Sequence, residues 1–140
     1  MFSQTAEYAL RAAVWLATQH DQPKTTRQIA RATRVPAGYL SKVLRSLVRA
    51  GLVTSQRGLG GGFILAAAPR KITVYEVISA VDAFQRIREC PLGLKSHSVR
   101  LCPLHRKLDD AALSIEKAFR DTRLDDLLIQ SGPIRPLVDE

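Results

Sequence analysis

The residues able to do chemistry form two groups: a block of cations, and a pair of cysteines with histidines nearby. Between Lys24 and Ile72 stand ten basic residues, Lys24, Arg27, Arg31, Arg34, Lys42, Arg45, Arg49, Arg57, Arg70 and Lys71, and not one Asp or Glu. The rest of the 140-residue chain is close to neutral, so the net charge of +8 is one local patch. Such a surface repels itself unless a polyanion lies against it. DNA is the obvious polyanion, because phosphate neutralisation supplies most sequence-independent binding. The second group is Cys90 and Cys102, each followed by Pro and Leu, with His97 between them and His105 just after. The repeated C-P-L pattern reads as a built loop. In a reducing compartment two such cysteines point to a metal, cluster or redox pair more than to a structural disulfide. The bland alternative is a pair of reduced, packed thiols, since free cysteine is often buried. His20 stands alone near a turn and reads as solvent-facing.

Other chemistries lack their residues. There is no C-x-x-C, H-E-x-x-H or G-x-S-x-G, so a thiol, metal or serine enzyme is not expected. Asp109-Asp110 and Asp125-Asp126 are adjacent pairs, which point apart on a helix. The glycines at 58–62 are not followed by GK[ST] and do not spell G-x-G-x-x-G, which argues against a nucleotide. No leader-like apolar stretch opens the chain, and no run approaches the ~20 apolar residues of a membrane span. The expected location is the cytoplasm, with no membrane partner. A hydrophobic fraction of 46% is that of a folded chain.

Elements must then position these residues. Ala6, Ala9, Leu10, Ala13, Val14 and Ala17 recur at helical spacing and predict a first helix from Ser3 to Gln19. Thr25 and Gln28 have capping-box spacing and start a short second helix to about Thr33. After the turn Thr33-Arg34-Val35, Pro36 suits the first position of a helix running to Ala50. On that helix Leu40, Val43, Leu44 and Leu47 form a core face. Lys42, Arg45 and Arg49 lie on the other side, with Ser41 and Ser46 beside them. This is helix-turn-helix geometry, in which the N-terminal residues of the second helix reach base edges. Gly38 costs that helix about 1 kcal/mol against alanine, which a close approach of DNA to its backbone would explain.

Gly51 ends the helix, and Leu52–Gln56 and Phe63–Leu65 predict a hairpin tipped by Arg57-Gly58-Leu59-Gly60-Gly61-Gly62. Arg57 would hold a phosphate or enter a minor groove. The candidate DNA-contacting set is Thr26, Pro36, Ala37, Gly38, Tyr39, Ser41, Lys42, Arg45, Arg49, Arg57, Gly58 and Gly60. Thr73 and Glu76 form a second capping box, ahead of a stripe of Val74, Val77, Ile78 and Val81. Then Leu101, Leu104, Leu108, Ala111, Ile115 and Ala118 make a heptad-like seam on a helix of about five turns. Its partner is either a second subunit or the chain's own first helix. Thr122 and Asp125 are expected to open a short last helix through Leu128, stopped by Ser131-Gly132-Pro133 before a loose tail.

The expected fold is mainly α: a winged helix-turn-helix with a two-stranded β wing and a long C-terminal dimerisation helix. Residues 1–84 would be the DNA-binding domain, 85–103 a sensor loop, 104–130 the dimerisation and terminal helices, and 131–140 a tail. A winged-helix adaptor that meets an acidic protein is the competing function, but it would carry an apolar patch where this chain carries Lys, Arg and Ser.

The chain resembles the IscR/NsrR-type family of bacterial winged-helix transcription regulators. The resemblance is carried by Gln4-Thr5-Ala6-Glu7-Tyr8-Ala9-Leu10, by the wing GLVTSQRGLGGGFILA and by ITVYEVISAVDA, and it extends to about Leu128. It implies a homodimeric repressor or activator on palindromic promoter DNA, with the long helix pairing the subunits. It also implies, in many members, an iron–sulfur cluster on three cysteines spaced C-x5-C-x5-C. A histidine often follows, and in some members an acidic residue of the first helix of the other subunit completes the site. Cys90 and Cys102 match the first and third cysteines, His105 the histidine and Glu7 the acidic position. Ser96 stands where the middle cysteine would be, with His97 beside it. Two thiolates with imidazole or carboxylate still suit a 2Fe–2S cluster, and Cys90, Cys102, His97 and His105 would suit tetrahedral zinc. Zinc or a dithiol switch is the second reading, and no bound metal is the third.

Overall fold

Side-chain caps decide where the helices begin. In a computed structural model describing residues 2–19, 21–129 and 134–137, the Ser3 hydroxyl accepts from the Ala6 N–H and opens α1, Gln4–Ala17. Thr25 and Gln28 cap reciprocally at the start of α2, Thr26–Thr33. Arg34 adopts a left-handed conformation at φ 55° and turns the chain into α3, Ala37–Arg49. Pro36 is the N-cap of α3 rather than its first helical residue. Two bonds in Schellman geometry end α3: the Gly51 N–H donates to the Val48 carbonyl and the Leu52 N–H to the Leu47 carbonyl.

The strands β1, Val53–Gln56, and β2, Gly62–Leu65, pair antiparallel with Val53 opposite Leu65 and Gln56 opposite Gly62. A 3-10 turn at Pro69–Lys71 leads to α4, Val74–Val81, opened by the Thr73–Glu76 box. A second 3-10 turn, Lys95–His97, interrupts the cysteine loop before α5, Pro103–Arg120, and α6, Leu124–Ile129. At α6 the expected Thr122–Asp125 start is replaced by Asp126, which accepts from the Arg123 N–H. His20 and the Ser131-Gly132-Pro133 stop lie outside the described residues.

α1 is the axis of the core. It packs against α2, α3, α4 and α6, so it is buried on more than one face: Ala12, Leu16 and Tyr8 join the expected stripe of Ala6, Ala9, Ala13, Val14 and Ala17, and Leu10 is half-buried. Its alanines let Leu40, Leu44 and Leu47 of α3 come close, and all three are fully buried. Truncating one such leucine to alanine typically costs about 2–5 kcal/mol. The recognition helix is therefore anchored by its apolar face, which leaves its polar face free. Among the described residues no helix is long and apolar enough to cross a membrane.

α5 is different. It packs mainly on α4, and none of its residues is buried. Phe119, near its C-terminus, meets Phe2 at 5.4 Å and Phe84 at 6.2 Å between ring centroids. Towards its N-terminus, Leu104 and Leu108 remain 62% and 51% exposed. The N-terminal half of the expected seam is thus not covered by α1. Leu101 precedes the helix rather than belonging to it.

Candidate nucleic-acid interface and cysteine loop

Folding leaves most of the expected DNA-contacting residues exposed. Ala37, Gly38, Tyr39, Ser41, Lys42, Arg45 and Arg49 are all exposed on α3, Pro36 is exposed just ahead of it, and Thr26 is half-buried at the start of α2. Ser46 is half-buried, so it contributes less to that face than its spacing suggested. The Ser41 hydroxyl donates to the Ala37 carbonyl at 3.1 Å and keeps acceptor capacity outward. Among the described residues nothing lies within 4 Å of the position a Cβ at Gly38 would take, so no packing among them requires glycine there.

Arg57, Gly58, Leu59 and Gly60 project at the wing tip, all exposed. The wing is not a free hairpin. Lys24 bridges to Phe63 as a one-residue third strand, with Lys24 N–H to Phe63 carbonyl at 2.9 Å and Phe63 N–H to Lys24 carbonyl at 2.7 Å. Sequence reasoning missed this bridge, because no periodicity marks a single-residue strand. Among the described residues, none of the ten cations between Lys24 and Lys71 forms a salt bridge; the ion pairs involve Arg11, Arg86 and Arg120.

α1 supports this face from below. Glu7 accepts from Arg11 Nε at 2.8 Å, and Arg11 Nη1 donates to the Thr33 carbonyl at 3.2 Å at the end of α2. A cation is favoured at that helix terminus. Arg11 also stands 5.3 Å from the Tyr8 ring centre. Glu7, an expected metal ligand, is thus engaged with a cation of its own helix.

The four other expected ligands come as two pairs. Cys90 Sγ lies 3.7 Å from His97 Nδ1, and Cys102 Sγ lies 3.3 Å from His105 Nδ1. Cys102 is the N-cap of α5 and His105 sits in its first turn. Among the described residues no three His, Cys, Asp or Glu side chains converge to hold a metal ion. The tetrahedral set of Cys90, Cys102, His97 and His105 is therefore not assembled among the described residues of one protomer. Each cysteine instead faces the histidine nearest to it along the turn. Backbone N–H of Leu94 pulls the Cys90 thiol below its ordinary range, followed by His97, against partial desolvation. Arg88 and Arg100, which flank the loop in sequence, take no part in that shift.

One further group missed from sequence ties the loop to α5. Arg86 Nε and Nη2 bond both oxygens of Asp109 at 2.7 and 2.8 Å, and Nη1 reaches Glu116 at 3.2 Å. The Ile87 N–H adds a bond to Asp109. Arg120 completes the cluster by lying 3.7 Å over the Tyr75 ring. Arg86, with burial opposing, holds the Asp109 carboxyl down to about 2. Its folded value is below the unfolded one, so its stabilisation is complete above the ordinary carboxylate range and is lost as pH falls through about 2. Asp109→Asn is expected to lower the melting temperature at pH 7, with the gap from wild type closing between about pH 4 and 2. A gap that stays constant over that window in parallel thermal melts would rule out this ionic link.

A helix-turn-helix braced from behind, with a glycine-tipped hairpin beside it and unpaired cations on both, is the architecture of a winged-helix DNA-binding regulator. The family described as Rrf2, iron-dependent transcriptional regulator, matches residues 2–130, and the chain belongs to it. It is 29% identical over 135 residues to the HTH-type transcriptional regulator NsrR of Bacillus licheniformis, covering 94% of each chain. It is 28% identical over 135 residues to the HTH-type transcriptional repressor NsrR of Streptomyces coelicolor, covering 91% of this chain and 88% of that one. Among solved structures it is similar to T. potens IscR, with a TM-score of 0.76 at 27% identity over 92% of this chain and 86% of that one. It is also similar to CymR, the global cysteine regulator of B. subtilis, with a TM-score of 0.74 at 27% identity over 91% and 95%. These relatives are transcription regulators and not enzymes.

Proposed function

We propose that the protein is a cytoplasmic homodimeric repressor that binds a palindromic promoter site. The observation that carries this reading is the exposed run of cations on α2, α3 and the wing, with no carboxylate partner among the described residues. α3 enters the major groove, with Ala37, Gly38, Tyr39, Ser41 and Lys42 nearest the bases. Gly38 supports this placement: the described residues give no packing reason for it, while an approaching duplex would. Arg45, Arg49 and Arg57 bind phosphates, and Thr26 and Pro36 offer helix N-termini to the backbone. Gly58 and Gly60 let the wing tip lie close to the duplex. Leu104 and Leu108 of α5 pair with the same residues of a second copy, and two recognition helices then face successive turns about 34 Å apart.

The signal is read at the cysteine loop through its thiols, which pair with His97 and His105. Cys102 occupies the N-cap position of α5 beside His105, so modification there acts next to the first turn of the pairing helix. Arg86 fixes the start of the loop to Asp109 and Glu116 of the same helix. A shift of α5 changes the spacing of the recognition helices, and hence affinity.

Arg57→Ala tests the DNA reading. It is expected to weaken binding to every duplex about equally and to flatten the salt dependence by about one unit of slope per subunit. A variant that changed sequence preference while keeping overall affinity would remove Arg57 from the phosphate contacts.

A further inference from the structure

We infer that Tyr8, a residue of α1 with no access to DNA, sets the base specificity of the recognition helix by holding Tyr39 in one orientation; this rests on the proposed placement of Tyr39 at the base edges. Tyr8 is only 8% exposed, and Tyr39 is 53% exposed in the first turn of α3. Their ring centres are 5.9 Å apart at 69°, an edge-to-face pair. Tyr39 thus has an aromatic partner at one side while about half of its surface stays exposed.

Tyr8 is itself fixed. Arg11 stands 5.3 Å from its ring, held by Glu7 on one side and by the Thr33 carbonyl on the other. The Thr33 hydroxyl in turn donates to the Ile29 carbonyl at 2.7 Å inside α2. One face of α1 therefore touches both sides of the turn Arg34-Val35-Pro36: Arg11 the end of α2, Tyr8 the start of α3. An aromatic side chain in a first helical turn has few rotamers. A ring partner that favours one of them removes the others before DNA arrives. That preorganisation raises affinity for the site whose bases suit the selected rotamer, and leaves phosphate contacts alone.

The test uses the full chain and two duplexes: one enriched by the wild-type protein from a random-sequence pool, and the same duplex with its sequence scrambled. Tyr8→Leu is expected to lower the ratio of the two affinities about three- to tenfold, the size of an edge-to-face ring contact. It should leave the salt slope unchanged. Tyr8→Phe, which keeps the ring, should keep the ratio. Tyr39→Ala should lower the ratio at least as far, and adding Tyr8→Leu to it should change the ratio no further. Equal weakening on both duplexes by Tyr8→Leu, or a further drop in the ratio when Tyr39 is already gone, would overturn the inference. If Tyr39→Ala left the ratio intact, the placement of Tyr39 at the bases would fail first. Should Tyr8→Leu not fold, a nuclear Overhauser contact between the two rings in the free wild-type protein is the expected result, and its absence overturns the inference.

Discussion

Leu104→Asp together with Leu108→Asp is expected to turn the protein into a folded monomer of 15.5 kDa that has lost about 10²- to 10⁴-fold in affinity for its promoter site. Both leucines stand on α5 with more than half of their surface exposed, and neither belongs to the core clusters built around α1. The double change therefore removes little from the folded monomer, and its far-UV circular dichroism should match wild type. In the proposed dimer the same positions meet across a dry seam, where introduced carboxylates cost several kcal/mol each. DNA affinity falls with dimerisation because two half-sites bound by one linked pair raise the effective concentration for the second contact. Leu113 is the control. It lies nine residues from Leu104, on the opposite face of the helix at 100° per residue, and is 46% exposed. Leu113→Asp should keep both the dimer and its affinity. Light scattering that finds the Leu104/Leu108 variant dimeric would remove α5 from the subunit contact.

Gly62→Ala should have the next largest effect, through the wing. Gly62 has φ 144° at the start of β2, and a Cβ there would run into the Lys24 carbonyl and the Thr25 nitrogen. Backbone cannot yield like the end of a flexible side chain, so the strand must move. The paired bonds between Lys24 and Phe63 are the first to break. Strain and displacement together are expected to cost about 1–3 kcal/mol of stability. The wing tip with Arg57 then loses its fixed position beside α3, and affinity should drop about tenfold on any duplex. Gly38→Ala makes the contrast, because nothing among the described residues opposes it. Its expected stability is equal to or above wild type, while its DNA affinity falls. Thermal melts and anisotropy titrations on the two variants would separate a packing glycine from an interface glycine. Equal behaviour would contradict both assignments.

Local features were legible in the sequence. The Thr25–Gln28 and Thr73–Glu76 boxes form as their spacing predicts, and the glycine-rich tip joins two strands where expected. Each needs only residues a few positions apart. What spacing could not reveal is set by distant segments. The burial of Ala12 and Leu16 follows from α1 being packed on several sides, whereas an amphipathic reading assigns one stripe. Lys24 meets Phe63 and Arg86 meets Asp109 across loops whose course no local pattern encodes. For the cysteine loop, residue types allowed a four-ligand site as one of three readings, and the turns pair Cys90 with His97 and Cys102 with His105. At α6, Asp126 rather than Asp125 caps the helix, a one-residue difference that spacing did not resolve.

The decisive measurement is the salt dependence of duplex binding by the full-length protein, followed by fluorescence anisotropy on the pool-enriched duplex and its scrambled partner. If Arg45, Arg49 and Arg57 of two subunits each neutralise a phosphate, the logarithm of the binding constant should fall with the logarithm of salt at a slope of about −5 for the enriched duplex. A slope near zero, or no binding to either duplex in about 50 mM salt, would contradict the assignment of this face to DNA.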